Sequence, residues 1–131
     1  MEAMVLTEND IAKVVVDAAM EVHRVIGGPG LFENIYEEAL AAELTLRNLP
    51  FERQKRIPVQ YKEQTLTSPL VLDLLVDGRV IIECKATEKH NPLYETQTLT
   101  YLRVCNLKLG LVINFGERML KDGIKRVVNG L

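Results

Sequence analysis

Asp73, Glu83 and Lys85 are the residues of this chain whose types and spacing suggest chemistry. Two carboxylates and an amine on one face offer hard oxygen ligands for a divalent cation and a positive group beside it. Whether they share a face depends on the register of two strand-like segments, Leu70–Val76 and Val80–Lys85, which Asp77-Gly78 joins as a hairpin. A tight two-residue turn would set Val76 against Arg79 and Leu72 against Glu83, and each face would mix charge with aliphatics. A one-residue shift, through a three-residue loop or a glycine bulge at Gly78, flips one strand relative to the other. Val76, Leu74 and Leu72 then face Val80, Ile82 and Cys84 in a wholly apolar layer. The opposite layer pairs Leu75 with Ile81, Asp73 with Glu83 and Val71 with Lys85. Burial favours this shifted register.

It places two carboxylates opposite one another with Cβ atoms about 5 Å apart, where like charges are destabilising. A divalent cation, Mg²⁺ or Mn²⁺, is the simplest compensator. Lys85, two residues beyond Glu83, lies on the same face and can position or deprotonate a water. A second reading is a metal-free ion-pair cluster with Lys85 between the acids, and spacing alone does not choose between them.

The elements that must position this hairpin follow from periodicity. Ile11, Val14, Val15, Ala18, Ala19, Val22, Val25 and Ile26 predict a helix, with Thr7 as N-cap and Asp10 in the capping-box position. Gly27-Gly28-Pro29-Gly30 ends it. A second helix is expected from about Leu31 to Arg47, carrying Glu33, Glu37 and Glu38 early, where acids favour the helix dipole. Phe51–Ile57 and Val59–Tyr61 read as strand material interrupted by Pro58, with Lys62-Glu63-Gln64 a polar turn. Pro92 opens a third helix to about Cys105, Leu109–Phe115 is an apolar strand, and Ile124–Val128 a last short one. The order αα-βββ-α-β predicts an α/β (α+β) fold with one mixed central sheet flanked by helices. Residues 1–131 suit a single domain, with N-terminal helices over 7–47 and a sheet-and-helix core over 51–128.

Bulk properties narrow the function classes. A chain this size buries roughly two-thirds of its unfolded surface and needs no staples. Cys84 and Cys105 belong to no Cys/His cluster, which argues against structural zinc and fits a reducing cytoplasm. The opening Met1–Met4, followed by Glu8 and Asp10, does not resemble a leader, and no apolar run is long enough to span a bilayer. The net charge of −2 gives no support to nucleic-acid binding by bulk charge. Any basic surface must be local, at Arg53/Lys55/Arg56, Lys85/Lys89/His90 or Lys121/Lys125/Arg126, each read more readily as an ordinary solvated face than as a binding stripe.

Asp73, nine intervening residues and then Glu83-Cys84-Lys85 resembles the PD-(D/E)XK nuclease signature. Gly30-Leu31-Phe32-Glu33-Asn34-Ile35-Tyr36 matches the GxxExxY motif of a family of small bacterial and archaeal proteins in that superfamily. Gln97 with Tyr101, the run Gly110-Leu111-Val112-Ile113-Asn114-Phe115 and the closing Gly123-Ile124-Lys125-Arg126 extend the resemblance from about His23 to Asn129. Leu72 stands where the superfamily's name-giving proline precedes its aspartate. The resemblance implies a restriction-endonuclease-like core of helix, three strands, helix and strand. It implies Mg²⁺ or Mn²⁺ held by Asp73 and Glu83, with Glu33 as a helix acid beside them. Lys85 would then be the catalytic lysine, Gln97 an accessory polar group, and Tyr101 and Tyr36 accessory residues. The implied substrate is nucleic acid cut at its phosphodiester bonds, with DNA favoured over RNA and the choice left open by the sequence.

Each residue also has a structural reading. Glu33 suits a helix's first turn, Tyr36 suits packing with a bonded hydroxyl, and His23 suits a helix C-terminus. Gln97 and Tyr101 share a helix face by i, i+4 spacing. Cys84 is expected buried and inert, and Asn114, inside an apolar strand, must find partners. A non-catalytic or partner-dependent binding module with the same fold is the alternative function. A domain this small offers little surface for substrate selection, so a homodimer is an open expectation.

Overall fold

The computed structural model describes residues 5–131; the expectation about Met1–Met4 lies outside the described residues. Helix α1 (Glu8–Ile26) starts at the expected capping box: the Asp10 N–H donates to Thr7 Oγ1 at 3.1 Å, and the Thr7 N–H donates to Asp10 Oδ2 at 2.9 Å. It stops at Gly27, whose φ of 99° only glycine adopts without strain. Helix α2 (Glu33–Leu46) begins two residues later than predicted, because Phe32 holds the extended N-cap conformation.

Strand β1 (Phe51–Ile57) follows, then β2 (Gln60–Tyr61) and β3 (Gln64–Thr65). The last two pair only with each other, in a small ribbon apart from the main sheet. The predicted strand at Val59–Tyr61 therefore adds nothing to the central sheet, and Gln64, expected in the turn, lies in β3. Strands β4 (Leu70–Val76) and β5 (Val80–Lys85) form the hairpin. Helix α3 (Leu93–Cys105) crosses to β6 (Leu109–Asn114), and a 3-10 turn at Leu120–Gly123 leads into β7 (Ile124–Val128).

The five-stranded sheet runs in the order β1-β4-β5-β6-β7, with β5 and β6 parallel and the other neighbours antiparallel. This is the mixed sheet that the element order predicted. One face carries Val76, Val80, Ile82, Leu109, Leu111 and Ile113 against α1 and α2. The other carries Ile81, Val112 and Val127 beneath Leu102 of α3. Each fully buried aliphatic there contributes about 1.5–3 kcal/mol relative to exposure. Gly110 lets α3 approach β6: a Cβ at this position would lie 2.7 Å from Thr98 Cγ2.

The hairpin adopts the shifted register, with Val76 opposite Val80, Leu75 opposite Ile81 and Leu74 opposite Ile82. Asp77 and Gly78 both have positive φ, and the Arg79 N–H closes the turn on the Val76 carbonyl, leaving Arg79 as the extra residue. Its guanidinium reaches Glu8 and the Leu6 carbonyl, tying the turn to the start of α1.

At the far end of β6, Asn114 is buried to 1% exposure. Its carbonyl oxygen accepts from the N–H groups of Thr87 and Gly116, and its amide donates to the Thr87 carbonyl and Oγ1. It finds the partners that a buried amide requires. We predict that Asn114→Ala costs about 2–4 kcal/mol, because it strands several buried backbone groups at once. Urea denaturation measures this, and a midpoint unchanged from wild type would show those bonds to be dispensable.

Candidate metal centre and active site

The ladder between β4 and β5 stops at Leu74–Ile82, one position short of the two acids. Beyond it the carboxylates take over the main-chain bonding. The Asp73 N–H donates to Glu83 Oε2 at 2.9 Å, and the Cys84 N–H donates to Asp73 Oδ2 at 2.8 Å. Each acid thus spends one oxygen on the opposite strand. The side chains of Asp73 and Glu83 meet across the two strands where the register sets them, although the ladder itself no longer pairs the two residues.

The expected apolar layer fails at the same point. A regular strand sends Leu72, Leu74 and Val76 to one face. Here Leu74 and Val76 join the α1/α2 core while Leu72 joins the core beneath α3, so Leu72 does not meet Cys84. Asp73 lies where the faces swap. The neighbouring strand β1 is irregular at the same level: Arg53 pairs with Leu74 and Lys55 with Leu72, and between them Gln54 takes a φ of 52°. A non-glycine residue in the left-handed region costs about 1 kcal/mol. Ile57 and Phe51, which a regular strand would also send to one face, likewise pack on opposite cores.

Helix α2 supplies two more acids. Glu33 is exposed at the helix start, close enough to Lys85 and Glu37 to feel both charges. Glu37, one turn later, is 4% exposed; Arg53 Nε donates to its Oε2 at 2.7 Å and Gln54 Nε2 to its Oε1 at 2.8 Å. The same Gln54 amide reaches 3.5 Å from Asp73 Oδ1. The sequence marks Glu37 only as a dipole-favouring acid and Arg53 only as part of a basic patch, and it does not mark Gln54 at all. The i, i+4 spacing of Glu33 and Glu37 was the available signal, since it sets both acids on one helix face.

From the other side, Lys85 Nζ lies over the Tyr94 ring, 4.7 Å from its centroid, and does not bridge the two acids. This removes the geometry of the expected ion-pair cluster. Tyr101 is half-buried near enough to Glu83 and Asp73 for their charges to raise its pKa, after the larger effect of burial. Gln97, one turn earlier on α3, is exposed. Tyr36 lies elsewhere: it is fully buried, stacked on Phe115 with centroids 4.9 Å apart, and its hydroxyl donates to the Gly28 carbonyl at 2.7 Å. His23 is buried with Nε2 2.9 Å from the Glu117 carbonyl. Cys84 is buried in the α1/α2 core, and burial pushes its thiol pKa far up.

The electrostatics of the pair follow from its surroundings. Burial, the Asp73 charge and the Glu37 charge raise Glu83 to about 8, against a hydrogen bond from the Asp73 N–H and the Lys85 charge. Burial, Glu37 and Glu33 raise Asp73 to about 6, against the Cys84 N–H and Lys85. Among the described residues no three His, Cys, Asp or Glu side chains converge on one ligand position. Glu33 therefore does not complete a ligand set with Asp73 and Glu83 as the resemblance implied, which leaves two acids as candidate donors, a number that Mg²⁺ sites use together with water and substrate phosphate. Asp73 and Glu83 each retain one oxygen free of main-chain bonds, all the donors are hard oxygens, and a positive ion would relieve the mutual repulsion. The donor set fits.

The sequence pattern of the PD-(D/E)XK nuclease superfamily matches residues 9–127, so the chain belongs to that superfamily. Its sheet and helices form the restriction-endonuclease-like fold, and membership implies a nucleic-acid substrate. No curated protein and no solved structure matches the chain. No helix among the described residues is long and apolar enough to cross a membrane.

Both acids hold protons more tightly in the fold than in the unfolded chain, where carboxylates titrate near pH 4. Between that value and about 6 for Asp73 or about 8 for Glu83, the folded protein binds more protons. These two groups therefore make the metal-free protein lose stability as pH rises through that window. We predict that the melting temperature in EDTA falls between about pH 5 and pH 8.5. Glu83→Gln, which keeps an acceptor for the Asp73 N–H, should flatten much of that fall. Equal slopes in wild type and variant would contradict the assignment.

Proposed function

We propose that the chain is one nuclease domain that hydrolyses phosphodiester bonds of nucleic acid, DNA rather than RNA, with Mg²⁺ or Mn²⁺ at Asp73 and Glu83. The observation that carries this reading is the facing pair of carboxylates, half-buried Asp73 and buried Glu83, each with one oxygen on a main-chain N–H of the partner strand and the other free of main-chain bonds. Gly30, Glu33 and Tyr36 support the GxxExxY branch of the superfamily. Two free thiols, Cys84 and Cys105, agree with a cytoplasmic site of action.

Asp73 and Glu83 would hold the cation, and Glu33, near enough to feel the Lys85 charge, would add negative charge on the helix side. The cation, when bound, lowers the pKa of water and offsets charge on the phosphoryl oxygens. Lys85 orients the nucleophile or stabilises the charge that builds on the phosphoryl group. The Tyr94 ring steadies its ammonium by a cation–π contact. Gln54 and the Cys84 N–H hold the Asp73 carboxylate in place from either side. Tyr101 closes the floor on the α3 side, and Gln97 one turn earlier can meet the sugar–phosphate chain.

Cleavage of single-stranded, duplex and branched DNA by wild type beside Lys85→Ala tests the reading. We expect cleavage that requires Mg²⁺ or Mn²⁺ and falls at least about a hundredfold in the variant. Lys85→Ala cutting as fast as wild type would overturn it. Because the metal-free site is acidic, we also expect binding of a short DNA strand to weaken in EDTA; affinity unchanged by chelation would count against the cation.

A further inference from the structure

Immediately beside Lys85 lies a cleft of about 480 Å³ to which the chemistry above assigns no role. Pro29–Phe32 form one wall, and Ala86–Glu88 with Gly116 form the other. Its walls join the proposed site directly: Phe32 precedes Glu33, and Ala86 follows Lys85. Phe32 is 81% exposed, an unusual place for an aromatic side chain that has a core a few residues away. Leu31, at 45%, extends the apolar surface.

The walls are held by buried polar side chains with no other evident task. The Tyr36 hydroxyl spans the first wall, donating to the Gly28 carbonyl and accepting from the Leu31 N–H at 3.2 Å. Asn114 commits its whole amide to Thr87 and Gly116 on the second wall. His23 ties the Glu117 carbonyl behind it. A buried polar group bonded in this way fixes the loop that it serves. The fold thus maintains a largely apolar cleft with an exposed ring at its rim, one residue from Glu33 on one wall and from Lys85 on the other.

We propose that this cleft is a nucleobase subsite, in which Phe32 stacks on an unpaired base next to the scissile phosphate. The inference rests on the nuclease reading, and it names the substrate class: single strands, or the unpaired part of a frayed or branched end. A phosphodiester at Lys85 brings its own base within reach of the neighbouring loops. Aromatic stacking is the sequence-tolerant way to hold such a base, whereas a base inside a duplex is unavailable to it. The lining includes Glu88, which disfavours a phosphate in the cleft but not an uncharged base. Tyr36, the motif tyrosine that lies away from the acids, acquires a task here as the residue that shapes one wall.

The test is equilibrium binding of a fluorescent oligothymidylate, in Mg²⁺, to Lys85→Ala protein with and without Phe32→Ala. The Lys85→Ala background leaves the strand intact, so the result stands whether or not wild type cleaves; failure of cleavage alone would strike the nuclease reading. Stacking of one base is worth about 1–3 kcal/mol, so Phe32→Ala should weaken single-strand binding roughly tenfold to a hundredfold. Phe32→Trp should restore it, and a blunt duplex should respond less than the single strand. Unchanged single-strand affinity in Phe32→Ala would overturn the subsite, as would an equal loss for duplex. Sedimentation decides the remaining occupant: a dimer that Phe32→Ala dissociates would assign the cleft to a second copy of the chain and overturn the proposal.

Discussion

Asp73 and Glu83 exchange side-chain for main-chain hydrogen bonds where the β4–β5 ladder ends. Two acids buried this closely repel one another and resist ionisation, and burial is the larger part of that resistance. A fold can tolerate the arrangement only if backbone donors, a nearby cation or bound protons offset it. The N–H groups of Asp73 and Cys84 provide the first of these. Lys85 contributes favourably to both acids, although its ammonium is engaged with the Tyr94 ring. The remainder is left to a proton or a divalent ion, and the exchange between these two is the chemical core of the account.

Much of the surrounding structure can be understood as support for that pair. The left-handed backbone at Gln54 and the face swap at Asp73 pull the two strands out of regular pleating, which frees the acids' main-chain groups for side-chain partners. Glu37, itself held by Arg53, accepts from the Gln54 amide and anchors the side chain of the strained residue. The Asp77-Gly78 turn sets the register and Arg79 ties it to α1, so a slip of one residue would break an ion pair as well as bury the wrong face. The buried polar residues outside the acid centre serve the loops at its edge. Tyr36, Asn114 and His23 hold the segments that lead into and out of it.

What could be read from the sequence was what local rules determine. Thr7 and Asp10 announce the start of α1, and the Asp77-Gly78 pair with its flanking aliphatics specifies a shifted hairpin because only that register buries them. The opposed acids follow from the register alone. Leu72 was assigned to the wrong face because period-two alternation assumes a regular strand. The swap lies opposite the positive φ of Gln54 on the neighbouring strand, which no local signal marks. For the same reason Glu37 looked like an acid favouring a helix dipole. Its buried role depends on Arg53 and Gln54, which reach it only after β1 pairs with β4. Val59–Tyr61 had a strand's composition, but only Gln60 and Tyr61 form a strand, in a two-residue ribbon outside the main sheet.

The central claim is that protons and a divalent cation compete for the Asp73–Glu83 pair. Titration calorimetry of Mg²⁺ into metal-free protein at neutral pH tests it directly, run in two buffers of different ionisation enthalpy. With Glu83 near 8 and Asp73 near 6, the site carries about one proton at pH 7 that the ion must displace. The account predicts release of about one proton per bound ion, lost in Glu83→Gln. Binding that releases no proton, or no binding at all, would contradict it.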